Sequence, residues 1–403
     1  MRVLVLTESF PTPEDPGRGV FIREQVDALS RLHEIRVLFP RPALPVIASA
    51  LLEPRAESLD SGACFQLRPE VEVDRPAYFY VPRHRGIRAW QIAQAVRCTL
   101  RKAPSPYDIV HAHWLSPAGL AAVRGVAEAG IPVVVTAHAG DVYRDLKQPR
   151  YFQMAQQVIR GTSRIIAVTD YFREPLLQAG ATPEKLRVIP NGVDVGLFAP
   201  ADRDRARTEL RLPTNVPLYL YIGNLQTAKG VADVVEAFFA YALPQAVLVI
   251  AGTGPLWKGF SRRASESGGR MILRGWQSHD SVARYLAAAD CFVLASYAEG
   301  NPVTVLESLC CGRPVIGNSI SAIAPLIEEG KNGLLVPPGD VPALGRAMRA
   351  LPDIHWEHTV IAQQAASRYG WASVAQRISE VYGEAVASAC DGQRVHVSTL
   401  AID

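Results

Sequence analysis

The sequence predicts an α/β protein of two doubly wound, parallel-sheet domains, and three observations carry that expectation. The chain has 403 residues, more than one hydrophobic core usually organises and a fit to two domains of about 150–200 residues. Short β-branched runs alternate with helix-length amphipathic segments, the pattern of βαβ units. That alternation occurs twice, with a polar stretch between the two series.

In the first series, strands are expected at 3–7, 36–39, 109–112, 133–136, 165–169 and 188–190. These runs are apolar at successive positions, as strands covered on both faces must be. Helices are expected between them at 21–31, 119–129 and 172–179. The second series places strands at 219–222, 247–251, 272–274, 292–295, 315–317 and 334–336. The polar segment 199–215 is the expected linker. Its Asp202-Arg203-Asp204 has the spacing of a D-x-D metal motif but reads as solvated surface, so no metal is assigned. The expected division is an N-terminal domain at 1–198, a C-terminal domain at 199–371, and a closing helix at 372–390 that packs back on the first domain. Residues after Cys390 are expected to fray.

Composition sets further limits. The chain is 48% hydrophobic and 20% charged, which is globular. A net charge of +3 gives no case for a nucleic-acid partner. Cys64, Cys98, Cys291, Cys310, Cys311 and Cys390 show no C-x-x-C spacing and read as free thiols of a reducing compartment. The opening MRVLVLTESF is interrupted by Glu8 and reads as a first strand, not a signal peptide. The apolar stretch 43–52 is too short to span a bilayer. The expectation is a soluble, cytoplasmic chain.

The most informative segment is YAEGNPVTVLE at 297–307. A strand ends before Glu299, a Gly300-Asn301-Pro302 turn follows, and a helix begins near Val303. Ligands of open α/β sheets bind beyond the carboxyl ends of the strands, where helix N-termini offer N–H groups to phosphate or sugar oxygens. A second strand opens into YIGNLQTAKG at 221–230, which sets Gly223, Asn224 and Lys229 at another strand end. Lys229 can meet a phosphate there as a point charge. Ala251-Gly-Thr-Gly-Pro255 is a weaker turn signal of the same kind.

The first series ends strands at TAHAGD, 136–141, and HAH, 111–113. It also has a Gly17-Arg18-Gly19 loop after its first strand, where glycines allow close backbone approach. The histidines lack a third ligand at zinc-like spacing. From Arg75 to Lys102 the chain carries Arg75, Arg83, Arg85, Arg88, Arg97, Arg101 and Lys102 with no acidic residue. Ile92, Val96 and Leu100 share one side of a basic helix there. Such a helix suits either a sheet face or an anionic membrane surface.

Taken in order, these motifs resemble the family 4-type retaining glycosyltransferases (glycosyltransferase group 1). The resemblance rests on the E-x7-E spacing of Glu299 and Glu307, the C-G-x-P-V after it, the Gly223–Lys229 loop, the His138 segment and Tyr369-Gly-Trp371. It implies the GT-B fold, two Rossmann-like domains facing across a cleft. It further implies transfer of a sugar, with retention and without a metal or other cofactor, from a UDP- or GDP-linked donor to an acceptor hydroxyl. Glu299 and His138 would be catalytic. Gly223, Asn224, Lys229, Gly300, Asn301, Val303 and Glu307 would bind the donor, Glu307 through its ribose. Gly17, Gly19, His113 and Asp141 would lie on the acceptor or sugar side. The acceptor would be a saccharide or a lipid-linked molecule of cell-surface polysaccharide or glycolipid synthesis, met on the inner face of a membrane.

The chain departs from the family in three places. Asn224 stands where an Arg is usual, Ala139 follows the histidine in place of Gly, and 319–325 lacks a Gly-Gly-x-x-Glu loop. An impaired nucleotide-sugar-binding protein, or a GT-B sugar-nucleotide epimerase, would share these residues. A dinucleotide oxidoreductase is disfavoured, because no G-x-G-x-x-G follows the first strand.

Overall fold

A computed structural model describes residues 1–12, 15, 17–43, 68, 71–79, 81, 84–103 and 105–399. Pro16, most of 43–52, Cys64, Arg83 and the side chain of Cys390 lie outside the described residues. The chain divides into two compact units, Met1–Gly192 with Trp371–Asp403, and Val193–Gly370.

The first unit contains β1 (Arg2–Leu6), β2 (Glu34–Leu38), β3 (Arg41–Ala43), β4 (Glu72–Asp74), β5 (Ala77–Phe79), β6 (Ile109–His113), β7 (Val133–Ala137), β8 (Arg164–Ala167) and β9 (Leu186–Val188). Seven of them form one parallel sheet in the order β4-β2-β1-β6-β7-β8-β9, and β3 pairs with β5 apart from it. Successive residues of a strand face opposite ways, and two cores result. Val3, Val5, Val37, Ile109 and Val134 pack with Ile22 and Val26 of the helix Val20–Leu29, and with Val374, Ile378 and Tyr382. Leu4, Leu6, Val110, Val133 and Val135 pack on the other side with Ile92, Val96, Leu120 and Val158.

Tyr382 and its neighbours belong to the last helix, Trp371–Thr399, which therefore covers one face of this sheet. Trp371 Nε1 donates to Glu24 at 2.9 Å, and Arg164 and Arg187 both donate to Glu384. The helical backbone continues to Thr399, past the point after Cys390 where fraying was expected.

The second unit contains β10 (Leu218–Ile222), β11 (Val247–Ala251), β12 (Met271–Leu273), β13 (Cys291–Leu294), β14 (Val315–Asn318) and β15 (Gly333–Val336). All are parallel, in the order β12-β11-β10-β13-β14-β15. Successive strands are added on one side of β10 and then, from β13, on the other. The order therefore reverses between β10 and β13, and in doubly wound sheets the ligand crevice opens at that point. In the first unit the reversal falls between β1 and β6.

Every run expected as a strand overlaps an observed one, while β3, β4 and β5 were not anticipated. The linker expectation is corrected. Within 199–215 lies the helix Arg203–Glu209, capped by Asp202, which accepts from the Arg205 amide at 2.9 Å. Arg207 on that helix is fully buried and donates to the carbonyls of Ala288, Thr214 and Val216 and to Asp290. The segment is part of the second unit's core. The division itself falls at Gly192/Val193, because the Val193 amide donates to Tyr369 O and Phe198 is buried in the second core. Among the described residues, no helix is long and apolar enough to cross a membrane.

Candidate active site

In the second unit, the loops after β10 and β13 meet at the switch point. Gly230 makes this approach possible. Its φ is +61°, and a Cβ there would lie 1.8 Å from the Ala295 carbonyl oxygen just beyond β13. Gly252, after β11, is similarly pressed on the Gly223 carbonyl, 1.9 Å from where its Cβ would stand. The Tyr221 hydroxyl donates to Asn224 O at 3.0 Å and holds the β10 loop from beneath.

The close approach brings Lys229 Nζ to 2.8 Å from Glu299 Oε1, which also accepts from Ser296 Oγ at 2.7 Å. The Lys229 side chain is 30% exposed and that of Glu299 12%. The pair borders a cavity of about 370 Å³. Gly223, Asn224, Asn301 and Val303 line it too, as do Thr253, Trp276 and Gln277. The helix Val303–Cys310 begins at its wall without a side-chain cap, which leaves N-terminal amides for a ligand. The Val303 amide donates to Asn301 O and the Val305 amide to Pro302 O, which leaves the amide of Thr304, a cavity residue, without a turn partner among the described residues.

Two expected donor residues are placed differently. Gly300 is buried and does not line the cavity. Glu307 shares a helix face with Val303, one turn further on, but is 5% exposed and does not line the cavity either. The segment 319–325 also stands apart from the wall. Ser321 is exposed, and Ala322 and Ile323 are buried in the second unit.

In the first unit, the ends of β6 and β7 carry a stack of three imidazoles. His111 is fixed by Tyr382 OH at 2.6 Å from Nδ1 and Thr136 Oγ1 at 2.8 Å from Nε2. The His113 ring lies 4.7 Å from that of His111 and 5.4 Å from that of His138. His113 Nδ1 is 3.2 Å from His138 Nε2. Trp114 and Phe21 close over His138, with ring centroids 4.7 and 5.4 Å away. Burial pushes all three histidines well below their usual range, His111 and His138 to about 3. All three are therefore neutral at pH 7.

Asp141 is fully buried. Its oxygens accept from the amides of Leu115 and His138, each at 2.9 Å. Burial raises its pKa to about 7. The carboxylate thus fixes the backbone around His138 and offers no exposed surface to a substrate. Gly19 has φ +66° and opens the helix Val20–Leu29 against Ser9 O, 2.6 Å from a would-be Cβ, whereas Gly17 stands in open space.

The basic segment forms the helix Arg85–Lys102, which buries Ala89, Ile92, Ala93 and Val96. Arg85 pairs with Asp145 and Arg88 with Glu8. Ile87, Trp90 and Arg101 share the exposed side. Among the described residues, no group of three or more His, Cys, Asp or Glu is gathered as a metal site.

Trp276 is a further residue of the site that carries no motif in the sequence. It follows β12 and is 56% exposed beside the cavity. An aromatic residue just after a strand end was its only signal, and sequence alone does not separate it from a core tryptophan.

Two doubly wound units, each with its polar residues gathered at strand ends, define a GT-B protein. Comparison with solved structures agrees on the fold. Sucrose-phosphate synthase from Thermosynechococcus elongatus superposes with a TM-score of 0.74 at 21% identity, covering 96% of this chain and all of that one. Anabaena HepE, solved in complex with UDP, gives 0.72 at 20% identity over 95% of this chain and all of its own.

Residues 17–197 match the model of Glycosyltransferase Family 4, and residues 216–353 that of Glycosyl transferases group 1. A Bacillus subtilis protein named as the teichuronic acid biosynthesis glycosyltransferase TuaC is 31% identical over 86% of this chain and 88% of its own. A D-inositol 3-phosphate glycosyltransferase of Saccharomonospora viridis is 27% identical over 83% of this chain and 84% of its own. The chain belongs to the family 4, group 1 glycosyltransferases.

Proposed function

We propose that the protein transfers a hexose, with retention and without a metal, from a nucleoside-diphosphate sugar to an acceptor hydroxyl in cell-surface polysaccharide or glycolipid synthesis. The observation that carries this reading is the Lys229–Glu299 pair bordering the switch-point cavity. The diphosphate takes Lys229 and the Thr304 amide at the start of the helix Val303–Cys310, and the base and ribose occupy the cavity beside Trp276. Once Lys229 turns to phosphate, Glu299 stays on Ser296 and presents its carboxylate to the sugar. The bond from the anomeric carbon to the phosphate oxygen breaks while a bond to the acceptor oxygen forms. The acceptor proton passes to the leaving diphosphate, whose growing charge Lys229 offsets. His138 donates a hydrogen bond to the sugar.

A uridine nucleotide is the favoured donor, since HepE has been solved with UDP and with UDP-glucose. The test is a thermal-shift panel of UDP, GDP, ADP and their sugars. A ligand at a hundred times its Kd adds about 2.7 kcal/mol, roughly 5–10 °C for a unit of this size. Nucleotide release with acceptor, in excess EDTA, then reports transfer, and early-time NMR reports the product anomer. Absence of any nucleotide shift would sink the reading. A shift without transfer favours the impaired binder, and conversion of the donor alone favours an epimerase.

The acceptor side is proposed to meet an anionic membrane through Ile87, Trp90, Arg101 and Lys102. Each basic residue near such a surface is worth about 1 kcal/mol. Replacing Arg101 and Lys102 by Ala should therefore weaken binding to phosphatidylglycerol-containing vesicles about tenfold or more. Equal sedimentation with neutral and anionic vesicles overturns it.

A further inference from the structure

The geometry points to His113 as a positioning residue that fixes which nitrogen of His138 carries its proton. This rests on the reading of His138 as a sugar ligand, but its test does not.

His113 Nδ1 and His138 Nε2 are 3.2 Å apart, so one of the two rings donates to the other. A neutral imidazole carries one N–H donor and one bare acceptor nitrogen. His113 Nε2 is buried and has no hydrogen-bond partner among the described residues. That orphaned atom decides the direction. If His138 donated, the proton of His113 would sit on Nε2, a buried N–H pointed at nothing, and orphaned donors are the rarer and costlier case. If His113 donates from Nδ1, its buried Nε2 keeps only a lone pair, and the unpartnered N–H moves to His138 Nδ1, which is not among the fully buried unpartnered atoms. The stack removes other arrangements. His111 is held at both nitrogens by Tyr382 and Thr136, and lies against the His113 ring. The amide of His138 is held by Asp141.

The chain of consequences runs outward. Tyr382 and Thr136 hold His111, His111 packs on His113, and His113 donates to His138 Nε2. The proton of His138 is then on Nδ1, which makes no hydrogen bond among the described residues and stays available to a ligand. Burial, which holds these rings neutral, agrees with a single proton on each. His138 therefore meets substrate as a neutral N–H donor to an oxygen lone pair. At that nitrogen it is neither a general base nor a cation.

The test is long-range ¹H–¹⁵N NMR of histidine-labelled full-length protein at pH 7, with His138→Gln used to assign the resonances. The expected result is a protonated Nδ1 and a bare Nε2 on both His113 and His138. His113→Asn keeps an N–H donor close to the Nδ1 position and should keep the His138 tautomer and turnover within about threefold. His113→Phe keeps a stacked ring but no donor. It should move the His138 proton toward Nε2 and lower kcat about 10–100-fold, the kinetic equivalent of one lost hydrogen bond, with nucleotide affinity unchanged. Protonation of His138 at Nε2 in the unsubstituted protein, or an unchanged tautomer in folded His113→Phe, overturns the inference. A shifted tautomer with full turnover leaves it standing and overturns the assignment of His138 to the sugar.

Discussion

Arg207→Ala is expected to cost the second unit about 3–5 kcal/mol, the range for removing one member of a buried ion pair. The guanidinium is fully buried and makes hydrogen bonds of 2.8, 2.7 and 3.0 Å to the carbonyls of Ala288, Thr214 and Val216. It also pairs with Asp290 at 2.7 Å. Alanine would leave those carbonyls without their donor and Asp290 with only Arg203 and the Leu218 amide. Arg203 is the control. It reaches the same carboxylate, but its side chain is 43% exposed, and exposed pairs are worth about 0–1 kcal/mol. Urea unfolding of the two variants should separate them by at least 2 kcal/mol. Equal midpoints would show that the segment is the loose connector its composition suggests.

The same residue shows where sequence reading runs out. The six strands of the second sheet were legible because both faces are covered, so Leu218–Ile222 and Val247–Ala251 read as apolar runs without any help from distant residues. The burial of Arg207 depends on Asp290, 83 positions away, and nothing local reports it. β3, β4 and β5 are three-residue strands of mixed polarity, RPA, EVD and AYF, and show no apolar run of the kind that marks the equally short β12, MIL. At the site, Gly223, Lys229 and Glu299 were legible because each follows a strand end and the topology gathers strand ends. The standing of Glu307 was not. Spacing places it on the face of Val303, but whether that face is open one turn further on depends on packing. Asp141 illustrates a different limit. A short polar side chain often serves the backbone beside it, and here both its oxygens do. That use has the same sequence signature as a ligand.

Lys229→Ala and Glu299→Gln are each expected to lower turnover about 10²–10³-fold, the cost of removing one preorganised electrostatic group, or about 2.7–4 kcal/mol of barrier. The two should differ in binding. Lys229 is proposed to hold the diphosphate, so its loss weakens affinity for the nucleotide as well as kcat. In the free protein Glu299 competes with phosphate for Lys229, since their atoms are 2.8 Å apart. Glu299→Gln removes that competing charge, and its affinity for a nucleoside diphosphate should be equal to or above that of the unsubstituted protein while kcat falls. The double variant decides what the glutamate does. If its whole role were to place Lys229, removing both would cost no more than Lys229→Ala alone. If it also acts on the sugar, the double loss exceeds either single one, yet stays below their product because contacting residues couple. We expect the second pattern. Lys229 answers to the phosphate, and the carboxylate, held by Ser296 Oγ at 2.7 Å, keeps a position of its own when the lysine leaves. Near-normal kcat and nucleotide Kd in both single variants would remove the pair from the active site.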